Sequence, residues 1–306
     1  MLNIYRKTLK DSELKETNKI EKGSWISVID PSIEEIERLE KELKLDLTMV
    51  EDALDENELS RIEMIDEIFY MIIRFPTQSY VDAITLPLLI VITENNIVTL
   101  SKEENHFIRD IAKKFPLLCT THKTNFLIKV ILEVFDNYDK YLNRILKDIK
   151  IKKIKIDNLS NEDILFLVQE EETLNDFESS IVPIISNLER MLSGRYIRIH
   201  EKDKDEIEDL FMDSKQTLAI SRVALKSIKN IREAYSTILT NDLNKVIKIL
   251  TIATIVLTIP TIISSVYGMN VSLPFGNSPF AFLYVMIIII FMSVAFLWFL
   301  VNRKWI

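Results

Sequence analysis

ILTIATIVLTIPTIISSV, residues 249–266, is the first of two apolar runs that close this chain, and Tyr267-Gly268-Met269-Asn270 follows it directly. The second run covers 281–301, and no charged residue occurs between Ile249 and Asn302. Each run is close to the roughly 20 residues that an α-helix needs to cross about 30 Å of hydrocarbon. The sequence therefore predicts two C-terminal membrane spans, at about 246–267 and about 281–302, joined by an outer loop at 268–280.

Basic residues flank this uncharged stretch on both sides. Lys245 and Lys248 precede it, and Arg303-Lys304 follows it. Positively charged residues beside a membrane span tend to stay on the cytoplasmic side. We therefore expect the protein in the inner membrane of the cell, with both termini in the cytoplasm. Residues 1–10 lack the apolar core of a signal peptide, so insertion is expected to depend on the C-terminal hairpin.

Composition excludes several functional classes. The chain has 306 residues, a net charge of −8 and one cysteine. Nucleic-acid binding needs a basic face, which this balance does not supply. One cysteine allows no internal disulfide and no multi-cysteine metal site. The chain has four glycines and no glycine-rich phosphate loop, so we expect neither an ATPase nor a cofactor.

The first hundred residues have mixed secondary-structure signals. Short β-branched or aromatic runs predict strands at 25–30, 69–75, 88–93 and 97–100, with Asn95-Asn96 supplying positive φ in a hairpin turn. Asp30-Pro31 predicts a helix start with Asp30 as N-cap, and a second helix is expected near Thr48. This part, 1–120, is predicted to be a cytosolic α/β domain.

Helical signals dominate the remainder. Helices are predicted at 124–150, 160–192 with a kink at Pro183, and 203–267. The third would measure about 97 Å and would join a cytosolic stalk to the first membrane span. The predicted domains are therefore 1–120, a helical bundle and stalk at 121–245, and a membrane hairpin at 246–306.

A polar stripe follows one side of this long helix into the membrane. Its members recur at intervals of three and four residues: Asn230, Ala234, Thr237, Asn241, Asn244, Lys248, Thr251, Thr254, Thr258, Thr261 and Ser265. Each hydroxyl could bond back to its own helix, but several in register favour a pore wall. One helix cannot enclose water, so a pore predicts a homo-oligomer with cyclic symmetry.

The order of these motifs resembles the CorA family of magnesium transporters. The resemblance is carried by Lys248-Ile249-Leu250-Thr251, Pro260, Tyr267-Gly268-Met269-Asn270 and Arg303-Lys304-Trp305, and upstream by Glu51-Asp52-Ala53-Leu54-Asp55 with Arg61-Ile62-Glu63. It implies a homopentameric funnel with an α+β cytosolic domain, a long stalk helix and two C-terminal transmembrane helices. It also implies that Gly268, Met269 and Asn270 form the selectivity ring and that Asn244, Thr251, Thr258 and Thr261 line the conduit.

The resemblance also implies that magnesium is the transported ion and a regulatory ligand, with cobalt or nickel as further transported ions. Gly268 is expected to let the backbone turn so that its carbonyl faces the axis, while the Asn270 amide contacts the hydrated ion. The resemblance places one regulatory carboxylate at Asp209, with Asp82 as the nearby acid.

Two alternatives remain open. The outer loop at 271–279 has no acid to gather cations, so a zinc transporter of the same superfamily is the first alternative. A membrane-tethered scaffold or sensor is the second. An enzyme is not expected, because His106, His122 and His200 are scattered and no carboxylate pair is singled out.

Overall fold

The computed structural model describes residues 1–11, 13–78, 83–104, 111–197, 199–271, 274 and 279–303, with Lys202 described by its backbone alone. It contains these strands: β1 Leu2–Arg6, β2 Lys15–Thr17, β3 Ser24–Ile29, β4 Arg61–Ile65, β5 Ile68–Gln78, β6 Ala83–Ile92 and β7 Ile97–Ser101. The helices are α1 Ile33–Leu43, α2 Leu47–Asp52, α3 Ile111–Lys114, α4 Lys123–Ile154, α5 Asn161–Leu192, α6 Glu201–Tyr267 and α7 Ala281–Asn302. Contacts divide the chain into unit 1, Met1–Ile231, and unit 2, Arg232–Ile306.

Unit 1 is built on one sheet of seven described strands in the order β2-β1-β3-β7-β6-β5-β4. β3 and β7 pair in parallel, and every other neighbouring pair is antiparallel. One sheet face packs on α1 and α2, where Leu39 and Met49 join Ile26 and Val28 in the core. On the other face, Trp25 and Phe126 of α4 have ring centroids 5.0 Å apart. This α+β architecture confirms the predicted fold class.

The four predicted strands are present as β3, β5, β6 and β7, but the predicted turn chemistry was wrong. Neither Asn95 nor Asn96 has a positive φ. Thr93 closes that turn instead: its backbone N–H donates to the Asn96 carbonyl (3.0 Å), and its hydroxyl oxygen accepts from the Asn96 N–H (2.9 Å). Positive φ occurs in the two-residue turn between β4 and β5, at Asp66 (49°) and Glu67 (62°).

The start of α1 also differs from the prediction. Asp30 has a positive φ of 45° and does not cap the helix. Ser32 is the N-cap: its hydroxyl accepts from the Glu35 N–H, and the Glu35 carboxylate accepts from the Ser32 N–H. This reciprocal capping box satisfies two backbone donors, which a single carboxylate at Asp30 would not do.

The helices of unit 1 are attached to the sheet through a buried polar network. Arg74 is 8% exposed, and its guanidinium donates to the Thr85 hydroxyl (2.9 Å) and to the carbonyls of Glu56 and Glu58 (both 2.7 Å). Asp176 of α5 accepts from both the N–H and the hydroxyl of Thr85 at 2.9 Å. The network fixes α5 against β5 and β6, because each buried polar group finds its partner on another element.

The three predicted long helices are present as α4, α5 and α6. The last has 67 residues and contains Pro260, and α5 contains Pro183 without ending there. The contact boundary falls inside α6, between Ile231 and Arg232. The three-part division at 120 and 245 stays a prediction.

Unit 2 contains the end of α6 and the whole of α7. Among the described residues, α6 and α7 are the two helices long and apolar enough to cross a membrane. Their large apolar side chains are exposed, for example Leu257 and Phe291 at 70% each. Exposed apolar side chains of this size fit helices surrounded by the hydrocarbon of a membrane and not by water.

Candidate functional site

The predicted polar stripe lies on an exposed face at the C-terminal end of α6. Its hydroxyl members Thr251, Thr254, Thr258, Thr261 and Ser265 are all exposed, as is Asn244 further up the helix. Half-buried residues form a different face: Ile252, Val256, Ile259, Ile263 and Tyr267. At about 100° per residue, the two faces are centred roughly 150° apart on the helix. The stripe is therefore left open on the side away from the partly covered face.

The threonine hydroxyls of the stripe all bond back to their own helix. The four nearest the C-terminal end of α6 donate to the carbonyl four residues earlier, at 2.8 to 2.9 Å: Thr251 to Ile247, Thr254 to Leu250, Thr258 to Thr254 and Thr261 to Leu257. From the sequence, hydrogen bonding of each hydroxyl to its own helix and a role in a pore wall were alternatives. The observed geometry is compatible with both. A hydroxyl that has given its proton to the backbone still has oxygen lone pairs to offer. The exposed stripe is thus a row of hydrogen-bond acceptors.

Pro260 interrupts the backbone ladder of α6 on its half-buried side, between Thr258 and Thr261 along the chain. Proline has no N–H, so the Val256 carbonyl lacks its usual donor four residues on. The helix nevertheless continues to Tyr267. The Val256 carbonyl is therefore a further backbone acceptor in the same two turns of helix.

The Gly268-Met269-Asn270 motif begins immediately where α6 ends. The Gly268 N–H donates to the carbonyls of Ser264 (2.9 Å) and Ser265 (3.2 Å), and the Met269 N–H donates to Val266 (3.2 Å). All three motif residues are exposed. The stripe and the motif are therefore on one continuous piece of chain, with the motif at its end.

The expectation that Gly268 turns its carbonyl toward the axis stays a prediction. Its φ is not positive, whereas Gly23 and Gly194 have φ values of 82° and 73°. What distinguishes Gly268 is space: a Cβ there would lie 3.3 Å from the Ser264 carbonyl oxygen. The backbone at Gly268 therefore lies outside the left-handed region, and a Cβ there would press on the preceding turn of the helix.

Basic residues at the membrane boundaries have exposed positions. Lys248, within the stripe, is exposed, and Lys245 pairs with Asp242 at 2.8 Å. The Arg303 guanidinium lies 5.8 Å from the centroid of the Phe299 ring. Lys304 and most of the outer loop, residues 272–273 and 275–278, lie outside the described residues.

The described structure does not test the two predicted regulatory acids as a pair. Asp209 is exposed on α6, and Asp82 lies outside the described residues. Among the residues that are described, no group of three or more His, Cys, Asp or Glu side chains could hold a metal ion.

Sequence reasoning missed an acidic cleft of about 230 Å³ between α4 and α6 within unit 1. Asp136, Asp139 and Asp213 line it, and Thr217 donates to the Asp139 carboxylate at 2.8 Å. Burial raises the pKa of Asp139, and repulsion from the other two carboxylates raises it further, against the opposing effect of the Thr217 hydrogen bond. No sequence spacing signals this cleft, because it depends on how two helices pack.

A family model and a known protein both match most of this chain. The family model described as CorA-like Mg²⁺ transporter protein matches residues 21–304. The cobalt/magnesium transport protein CorA of Methanocaldococcus jannaschii is 28% identical over 293 residues, covering 92% of this chain and 91% of that protein.

Two solved structures have a similar fold. The complete structure of the CorA magnesium transporter from Methanocaldococcus jannaschii superposes with a TM-score of 0.89 at 21% identity, covering 100% of this chain and 99% of that one. The full-length CmaX protein superposes with a TM-score of 0.76 at 14% identity, covering 98% and 96%. The likeness therefore extends over both units.

Proposed function

This chain belongs to the family of CorA-like Mg²⁺ transporters, and we propose that it forms a pore through which the membrane potential drives magnesium into the cell. Family membership makes it a membrane transport protein with two candidate transmembrane helices, and not an enzyme. The identity of the ion, the pore itself and its filter belong to the proposal.

The observation that carries the proposal is the acceptor stripe on α6. Mg²⁺ gives up its water reluctantly and prefers a complete octahedral shell. The waters of that shell direct their oxygens at the metal and their hydrogens outward, so a hydrated Mg²⁺ is a surface of hydrogen-bond donors. Thr251, Thr254, Thr258 and Thr261 offer acceptors, since each proton is already engaged by the helix. Such a wall supports passage of the hydrated ion.

Closing the pore requires several copies of the stripe. A lone helix cannot enclose water in a bilayer, and the hydroxyl members of the stripe from Thr251 to Ser265 are exposed in a single chain. We propose a homopentamer in which each subunit contributes its α6 to the wall. A cyclic assembly buries the same polar face of every subunit against a shared aqueous axis.

The filter is assigned to Gly268, Met269 and Asn270. Asn270 adds an amide oxygen, a neutral acceptor, directly beyond the last turn of α6. A ring of such amides multiplies one weak contact with the hydrated ion into a selective site. Neutral ligands also suit transport, because a ring of carboxylates would bind a divalent ion too tightly to release it.

The driving force needs no nucleotide. Moving one elementary charge across 100 mV is worth about 2.3 kcal/mol, so a divalent ion gains about 4.6 kcal/mol on inward passage. We place both termini in the cytoplasm, with the motif at the outer face, since the flanking charges Lys245, Lys248 and Arg303 favour that orientation.

The test is magnesium uptake into proteoliposomes under an inside-negative potential. We expect potential-driven flux for the wild type and its loss for Asn270→Ala, with Asn302→Ala as the matched control that keeps its flux. A folded wild type that passes cobalt, nickel or zinc but not magnesium would reassign the substrate. A folded protein that passes none of these ions would favour the scaffold or sensor and reject the pore.

Regulation is a second part of the proposal. Asp209 is exposed and thus free to meet a neighbouring subunit, and we propose that it helps to hold magnesium that keeps the pore closed. Asp209→Lys should then remove the inhibition of currents by internal magnesium. The exposed Asp205, one turn earlier, provides the control Asp205→Lys. Unchanged inhibition in the Asp209 variant would discard this assignment without affecting the pore.

A further inference from the structure

Lysines and exposed apolar side chains occur together where α4 ends and α5 begins. We call this cluster the basic tip: Lys147, Lys150, Lys153 and Lys155, with Ile151, Ile154 and Leu165. The three apolar side chains are 43%, 78% and 65% exposed. Other apolar side chains of unit 1 are exposed singly, but here three are grouped beside four lysines.

The four lysines of the basic tip are not used by unit 1 itself. All four are exposed, and none has an ion-pair partner among the described residues. Lys152, between them, is different: it pairs with Asp163 and lies over the Phe166 ring. Asp157 and Glu162 are the exposed acids nearby and Asp148 is half-buried, so the unpaired lysines outnumber them. The pairing of Lys152 fastens α4 to α5 and leaves the other lysines pointing into solvent.

The packing of unit 1 fixes which end of it carries the basic tip. α4 runs parallel to α6, because Lys129 pairs with Glu206 (2.9 Å) and Asp139 accepts from Thr217 (2.8 Å) further along both helices. Continuing this register at 1.5 Å per residue puts Ile154 level with about residue 232 of α6. Unit 1 ends at Ile231. The basic tip is therefore at the end of unit 1 from which the chain leaves toward its membrane-spanning part.

Along the chain, the uncharged run begins at Ile249, about 18 residues beyond Ile231. A tether of that length keeps the exit end of unit 1 within a few tens of ångströms of a bilayer. We propose that the basic tip is a docking surface for the anionic lipid headgroups of the membrane that holds this chain. Lysines attract a negatively charged leaflet, their long stems reach phosphates, and Ile151, Ile154 and Leu165 enter the interface between headgroups and acyl chains.

The experiment uses the full-length chain in nanodiscs. A fluorophore is attached to Ile154→Cys in a Cys119→Ala background, since Cys119 is the one native cysteine. Quenching by lipids brominated on their acyl chains is measured in phosphatidylcholine alone and in phosphatidylcholine with phosphatidylglycerol. We expect quenching in the anionic discs and its loss in neutral discs or at high salt, which screens the attraction. A label at Leu117→Cys, 92% exposed at the other end of α4, should remain unquenched.

Charge reversal supplies the matched pair of variants. Lys150→Glu/Lys153→Glu/Lys155→Glu should abolish quenching, while Lys10→Glu/Lys19→Glu/Lys22→Glu, the same charge change at exposed lysines elsewhere, should preserve it. Equal quenching in neutral and anionic discs, or none in either, would overturn the proposal. Energy transfer between labels on different copies without lipid quenching would assign the tip to a second subunit instead. None of these readouts needs ion flux, so they stand apart from the test of the pore.

Discussion

Unit 1 and unit 2 treat polar and apolar side chains in opposite ways. Unit 1 buries the Arg74 guanidinium and satisfies it from other elements of the fold, while its apolar side chains form a core. Unit 2 exposes its apolar side chains and satisfies the hydroxyls of its threonines within the same helix. The difference reflects two solvents: water drives apolar groups inward, whereas hydrocarbon requires each polar group to find a partner close by. Each variant below tests one of these two units.

The largest effect is expected where unit 1 depends on partners from several elements. Arg74→Met removes hydrogen bonds to Thr85, Glu56 and Glu58 and leaves buried acceptors unpaired, at about 1–3 kcal/mol for each group. We expect the free energy of unfolding of unit 1 to fall by about 3 kcal/mol or more. Thermal unfolding of the full-length protein, followed by near-UV circular dichroism, measures the change.

The control for Arg74 is an arginine on the surface of the same unit. Arg222 pairs with Glu178 at 2.8 Å, and its side chain is 58% exposed. Arg222→Met should cost less than about 1 kcal/mol, because exposed ion pairs contribute little. If both variants lowered the unfolding midpoint equally, the buried network would have no special role in holding α5 to the sheet.

In unit 2 the same kind of deletion should affect transport and spare folding. Thr258→Val removes the hydroxyl whose proton is given to Thr254, so the helix keeps its backbone bonds while the stripe loses one acceptor per subunit. We expect flux to fall about tenfold, equivalent to about 1.4 kcal/mol in the barrier. Thr258→Ser keeps the oxygen and should keep most of the flux. Magnesium uptake into proteoliposomes measures the flux. Equal flux in Thr258→Val and Thr258→Ser would show that this hydroxyl does not contribute to the pore wall.

The smallest effect is expected at the acidic cleft of unit 1. Since the folded pKa of Asp139 is raised, its protonated form favours the native state, and that stability is lost as the pH rises from about 3.8 through the folded pKa. Asp139→Asn removes the titrating charge and keeps an acceptor for Thr217. The variant should therefore have a higher melting temperature than the wild type at pH 7, and this difference should shrink toward pH 4. A difference in melting temperature that is the same at both pH values would contradict the raised pKa of Asp139.

The sequence predicted what depends on local periodicity. The two apolar runs, the polar stripe and the motif after Tyr267 are all readable from spacing along one helix, and the long helices lie within a few residues of their predicted bounds. The strands β3, β5, β6 and β7 are runs of β-branched and aromatic residues, which are typical of a buried sheet. The edge strand β2 lacks that signal, because Lys15–Thr17 is three residues with no apolar alternation.

What could not be predicted depends on groups that meet through tertiary packing or on competition between local caps. The acidic cleft requires the register of α4 on α6, which no spacing within either helix reveals. At α1, Asp30 was predicted as the cap, but the reciprocal bond with Glu35 favours Ser32.

The back-bonded threonines of α6 bear on what such a conduit would keep out. A proton crosses a file of water by hopping, which requires each molecule to rotate after it has passed a proton on. A wall of fixed acceptors holds a hydrogen of each adjacent water toward itself and opposes that rotation. We therefore expect the same threonines that would receive a hydrated cation to slow acid leakage, so that a cell could admit the metal without discharging its own proton gradient.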